Sequence, residues 1–161
     1  MTTRFVCGLA ASTLLLSAAA VAQDLSYQST CQSVGGSAPE PLGDREGHAV
    51  LVAETSCRVV SGPLSGALVT ATSIWEWNGT EATMLSNAGV YRMPGGELVF
   101  RGSEGKLTLT MADGKVTGFT ASGKGQAILA TGTAAPYAGK TTNWTAKSTG
   151  PGTFSVEDKV E

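Results

Sequence analysis

Lys106-Leu-Thr-Leu-Thr-Met-Ala-Asp-Gly-Lys-Val-Thr-Gly-Phe-Thr-Ala-Ser-Gly-Lys-Gly-Gln-Ala-Ile-Leu-Ala-Thr-Gly132 is the stretch that decides the fold. Leu107, Leu109 and Met111 alternate with Thr108 and Thr110. A period of two places the apolar residues on one face of a strand and the threonines on the other. Asp113-Gly114 follows as a two-residue turn, because both residues tolerate positive φ. The pattern predicts a return over 115–122, a second turn near Gly123 to Gly125, and a third strand over 126–130. This is an antiparallel meander. A strict two-residue turn would pair Met111 with Val116 and Leu109 with Gly118, leaving Phe119 among the threonines. A bulge at Thr117-Gly118 returns Phe119 to the apolar side, and glycine inside a strand often marks a bulge. The bulged register is therefore expected, with a core-facing set of Leu51, Leu107, Leu109, Met111, Val116, Phe119 and Ile128.

Working outward, the same punctuation recurs. Leu25 to Ser33 reads as a first strand, and the segment Gly35 to Gly43, broken by Pro39 and Pro41, reads as loop. Gly47 to Val60 is a long strand, Gly62 to Gly66 a turn, and Ala67 to Trp77 the next strand. Asn78-Gly79 is a strong hairpin signal before a strand over Glu81 to Arg92. Pro94-Gly95-Gly96 turns into a short strand, Glu97 to Arg101, and two strands close the chain over 143–147 and 153–160. Nine or ten locally connected strands with no helical period predict an all-β domain, an antiparallel up-and-down β-barrel of about eight strands rather than a Greek-key sandwich.

Met1 to Ala22 is excluded from that fold. Arg4 precedes an apolar run over 5–20, and Ala20-Val21-Ala22 reads as a cleavage site, so residues 1–22 are expected to be a signal peptide. The run is shorter than the ~20 residues that span a bilayer, and no second apolar segment follows, so no integral membrane segment is expected after cleavage. The expected location is periplasmic or extracellular. Taking 22 residues from 161 leaves 139, one domain spanning 23–161. Cleavage would remove Arg4 alone among the charged residues, and the remaining ten basic residues against thirteen acidic ones, without basic runs, argue against nucleic acid and anionic membranes as partners. Loss of Cys7 leaves Cys31 and Cys57, which in an exported protein read as one disulfide.

Gly132-Thr-Ala-Ala-Pro-Tyr-Ala-Gly-Lys140 resembles the Gly-Thr-Gly-x-aromatic-x-Gly loop of the allene oxide cyclase and dirigent-type barrels. Ala134 replaces the second glycine, and an extra residue precedes Tyr137. The resemblance implies an eight-stranded β-barrel and carries no catalytic residue onto this chain. The chain also resembles small exported bacterial proteins of unassigned function.

Motifs for chemistry are sparse. His48 is the only histidine, with Asp44 and Glu46 near it in sequence, and it reads as a strand-end residue capped by a neighbour. Glu54 shares its strand face but is roughly 20 Å away at ~3.3 Å per residue, too far for a catalytic pair. Gly62 to Gly66 lacks nucleophile-elbow spacing, Ser103 to Lys106 reads as a polar turn, and Gly123-Lys124-Gly125 lacks the helix of a dinucleotide loop. One histidine and scattered acids point to no metal and no cofactor.

The strand over 67–77 holds the candidate site. Ala67, Val69, Ala71 and Ser73 share a face with Trp75 and Trp77. Turned inward, small residues leave volume and the indoles wall one mouth; the alternative is ordinary packing, with bulk from Tyr91, Phe100 and Trp144. Glu76, on the opposite face, is expected to be solvated. Three functions follow: a barrel binding an apolar or aromatic small molecule at Trp75, Trp77, Tyr91, Phe100 and Trp144; a structural or envelope-associated domain with a filled core; or an isomerase or cyclase using the cavity. A buried acid or histidine facing a cavity would favour the third.

Overall fold

The computed structural model describes residues 24–35 and 38–161. The expected signal peptide lies outside the described residues. The strands are β1 (Tyr27–Val34), β2 (Glu40–Pro41), β3 (His48–Ser61), β4 (Leu68–Asn78), β5 (Glu81–Met93), β6 (Gly96–Ala112), β7 (Lys115–Ala130), β8 (Thr141–Gly150) and β9 (Thr153–Val160). A 3-10 helix, Gly132–Tyr137, joins β7 to β8. From β3 to β9 each strand pairs antiparallel with the next in sequence. β1 pairs with both β9 and β3, and this closes an eight-stranded up-and-down barrel. Among the described residues closure leaves no long unpaired edge. β2 is the extra strand; it pairs with Ala49 and Val50, past the point where β1 leaves β3 at Glu54.

The turns are where glycine chemistry placed them. Asp113 (φ 50°) and Gly114 (φ 71°) both take the left-handed conformation that a tight hairpin needs. The expected bulge is present. Leu109 pairs with Phe119 and Thr110 with Gly118, but Met111 pairs with Val116, so Thr117 is the extra residue. Phe119 consequently shares the inner face with Leu107 and Leu109.

Three expectations need correction. No turn forms at Gly123 to Gly125: β7 runs unbroken through it. Ser103 to Lys106 is not a turn either, but part of the 17-residue β6, with Ser103 as a bulge between the Gly102–Gly125 and Glu104–Lys124 pairs. Glycine and serine signal both turns and bulges, and here the ladder continues past them. Within the predicted core, Leu51, Leu107, Leu109 and Phe119 line the interior, whereas Met111 (45% exposed), Val116 (56%) and Ile128 (46%) do not. Met111 and Val116 flank the hairpin tip, where the wall has no opposite face to pack against. Ile128 is itself a bulge residue, between the Phe100–Ala127 and Val99–Leu129 pairs.

Two apolar clusters fill opposite ends of the barrel. One gathers Tyr27, Val59, Leu64, Tyr91, Leu98 and Tyr137 beneath the 3-10 helix. The other gathers Ala49, Trp75, Trp77, Ala82 and Met84, with Leu51, Leu107, Leu109 and Trp144 packed against it.

Candidate functional site

Between these clusters lies a cavity of about 310 Å³. It is lined by the inward residues of the eight barrel strands. β4 contributes Val69, Ala71, Ser73, Trp75 and Trp77, the small-then-indole face read from the sequence. The five aromatic residues singled out, Trp75, Trp77, Tyr91, Phe100 and Trp144, all line the cavity. They divide between the ends. The three indoles belong to one cluster; Tyr91 and Phe100 belong to the other, edge to face with ring centroids 5.4 Å apart. Neighbouring strands therefore supply bulk, and a cavity remains as well.

Glycine makes room for one of the three indoles. Trp144 pairs with Gly123, which pairs in turn with Gly105. A Cβ on Gly123 would stand 2.5 Å from the Trp144 indole and collide with the Glu104 carbonyl; one on Gly105 would come within 3.2 Å of the same indole. The residues that read as a turn are thus the floor under Trp144.

Polar atoms in the wall are few. The Trp75 Nε1–H donates to Ser73 Oγ (2.8 Å), and the Tyr27 hydroxyl donates to that of Tyr91 (3.1 Å). Burial pushes both tyrosine hydroxyls well above their ordinary range. Ser29 Oγ, Trp77 Nε1 and Asn87 Oδ1 are buried without a hydrogen-bond partner among the described residues, and all three residues line the cavity. Leaving such groups unpaired is costly, by about 1–3 kcal/mol each. Cys31 and Cys57 also line the wall, directly opposed on β1 and β3, with sulfurs at the disulfide distance of 2.05 Å and Cα atoms 4.0 Å apart.

Asp158 is a cavity residue that was not among the candidates named from the sequence. It is 6% exposed and lines the cavity from β9, beside Tyr27 on β1 and Trp144 on β8. Burial alone pushes its carboxyl from 3.8 up to about 7. The signal was available in the alternation Phe154, Val156, Asp158, which carries an acid onto an apolar face.

His48 is buried on the outer side of the wall, away from the cavity lining. Its Nδ1 meets Asp44 Oδ1 at 2.5 Å, the neighbouring carboxylate the sequence suggested. Its Nε2 meets Glu76 Oε1 at 2.8 Å, so Glu76 is not simply solvated as expected. Antiparallel pairing of Val50 with Glu76 brings that carboxylate alongside. The hydrogen bonds to Asp44 and then Glu76 raise the imidazole's pKa above 6.5. Among the described residues no group of acidic, histidine or cysteine side chains is arranged to hold a metal ion, and no helix is long and apolar enough to cross a membrane.

No family model, curated protein or solved structure matches the chain. The eight-stranded barrel implied by the likeness of Gly132 to Lys140 is present, but nothing beyond the barrel supports kinship with the allene oxide cyclase and dirigent proteins. In this chain that segment is a plug: Tyr137 is buried and its hydroxyl donates to the Leu25 carbonyl at 2.9 Å.

Proposed function

We propose that the barrel binds a small, flat, apolar or aromatic molecule in its lumen, with Trp75, Trp77, Tyr91, Phe100 and Trp144 as its walls. The cavity of about 310 Å³ carries this reading. Its apolar lining with a few unpartnered polar atoms is the composition of a ligand pocket, and eight strands enclose just enough width for one small molecule. The cavity weighs against a filled structural barrel. We also read the chain as exported to the periplasm or beyond; the Cys31–Cys57 pair at disulfide distance suits an oxidising compartment.

Titration with phenylnaphthylamine, followed by quenching of tryptophan emission, tests the binding reading. Saturable quenching that is lost in Trp75→Ala, with the far-UV spectrum unchanged, is expected. Emission indifferent to this and similar aromatic probes would return the protein to the structural reading.

Asp158 favours a second reading, an isomerase. A cavity-facing carboxyl that titrates near neutrality suits proton transfer to and from a bound substrate. Turnover that disappears in Asp158→Asn while ligand binding persists would favour it over simple binding.

A further inference from the structure

Asp158 is a buried acid that lines the cavity. Its register partners are Tyr27 and Trp144, and the Tyr27 and Tyr91 hydroxyls are near enough to feel its charge. Tyr137 joins the same tyrosine cluster from the 3-10 helix. Among the described residues its carboxyl has no hydrogen-bond partner and no cation within 4.0 Å. Lys140, the basic residue of the cavity lining, is exposed and makes no ion pair with it. The acid therefore sits beside the tyrosine cluster with nothing among the described residues to balance it.

We propose that the lumen selects ligands carrying a cationic nitrogen, with Asp158 as the counter-ion and the rings of Tyr27 and Tyr91 beside the charge. This inference rests on the ligand-binding reading above. A buried carboxylate is tolerated when it is paired, and a ligand amine supplies the missing partner. Aromatic faces attract cations. The same acid repels an anionic ligand of equal size. The apolar body of the ligand then lies towards Trp75 and the small β4 residues Ala71 and Ser73, which line the rest of the cavity.

Isothermal titration calorimetry of the full chain at pH 8 with three probes of one size tests this: naphthylmethylamine, methylnaphthalene and naphthylacetate. The amine should bind about ten- to a hundredfold more tightly than the hydrocarbon, as befits a charge-assisted hydrogen bond, and the carboxylate most weakly. Asp158→Asn should abolish the difference between amine and hydrocarbon. The wild-type preference should also shrink at pH 5, where Asp158 holds its proton while the amine keeps its charge, so a result does not depend on the variant folding. Equal affinity for amine and hydrocarbon in the wild type, or a preference that survives Asp158→Asn, overturns the inference and leaves binding of apolar molecules standing. Failure of all three probes to bind overturns both.

Discussion

Trp144 on β8 and Asp158 on β9 are register partners, and both side chains face the same cavity. The acid is 6% exposed, and among the described residues it has no cation within 4.0 Å. Placing a carboxyl there is a liability for folding. A buried acid in a mostly apolar lumen suits a role in function, where stability is commonly sacrificed.

That liability has a definite pH dependence. The unfolded chain ionises Asp158 near 3.8, whereas the folded protein does so only at about 7. The folded state thus holds the proton more tightly, and stability is lost as pH rises between those values. Asp158→Asn cannot ionise, so it should be more stable than the wild type by roughly 2–4 kcal/mol at pH 8, converging towards it near pH 4. Urea melts at the two pH values measure this. A gap of the same size at both would mean that burial of the charge is not its origin.

Two glycines on the inner face of β7 should respond differently to a methyl group. Gly123→Ala forces the new Cβ against the Trp144 indole and the Glu104 carbonyl, which belong to a closed wall. A loss of roughly 1–3 kcal/mol is expected, with a shift in tryptophan emission. At Gly125 the nearest atoms, Thr142 Oγ1 and the Arg101 carbonyl, lie at 3.2 and 3.3 Å. Gly125→Ala should cost less and leave the emission unchanged. Chemical denaturation monitored by fluorescence compares them directly.

His48 provides a second, separate pH window. Its raised pKa means that its bonds to Asp44 and Glu76 stabilise the protein fully below about 6.5 and fade as pH rises through the higher folded value. His48→Gln should therefore lie furthest below the wild type in melting temperature at pH 6 and approach it by pH 9. A constant difference across that range would show that the imidazole acts through packing alone.

The Cys31–Cys57 bond would close a loop with a sequence separation of 26. Replacing both cysteines with serine should lower stability by about 3–4 kcal/mol on the chain-entropy estimate. The β1–β3 ladder continues on both sides of the pair, so the barrel itself should persist. Mass spectrometry with and without reductant checks the bond, and thermal melts check its worth.

Much of this fold was legible locally. Alternation in Leu107 to Met111, together with Asn78-Gly79 and Asp113-Gly114, settled strand and turn because side-chain period and positive φ are properties of neighbouring residues. The Thr117 bulge followed from the same logic. Gly123 and Ser103 misled because these residues serve both tight turns and close approach inside a strand, and only the partner strand distinguishes the two. The candidate site divides in the same way. The sequence by itself determined that Trp75 and Trp77 share a face with small residues, and the phase of β9 already put Asp158 in line with Phe154 and Val156. Only the tertiary structure decided that this face looks into a cavity, that Trp144 lies on Gly105 and Gly123, and that no cation among the described residues reaches Asp158. A cavity is what remains after the side chains of eight strands have been placed around one axis, and charge balance depends on every group within a few ångströms. Both are set by contacts distant in sequence, which no local pattern records.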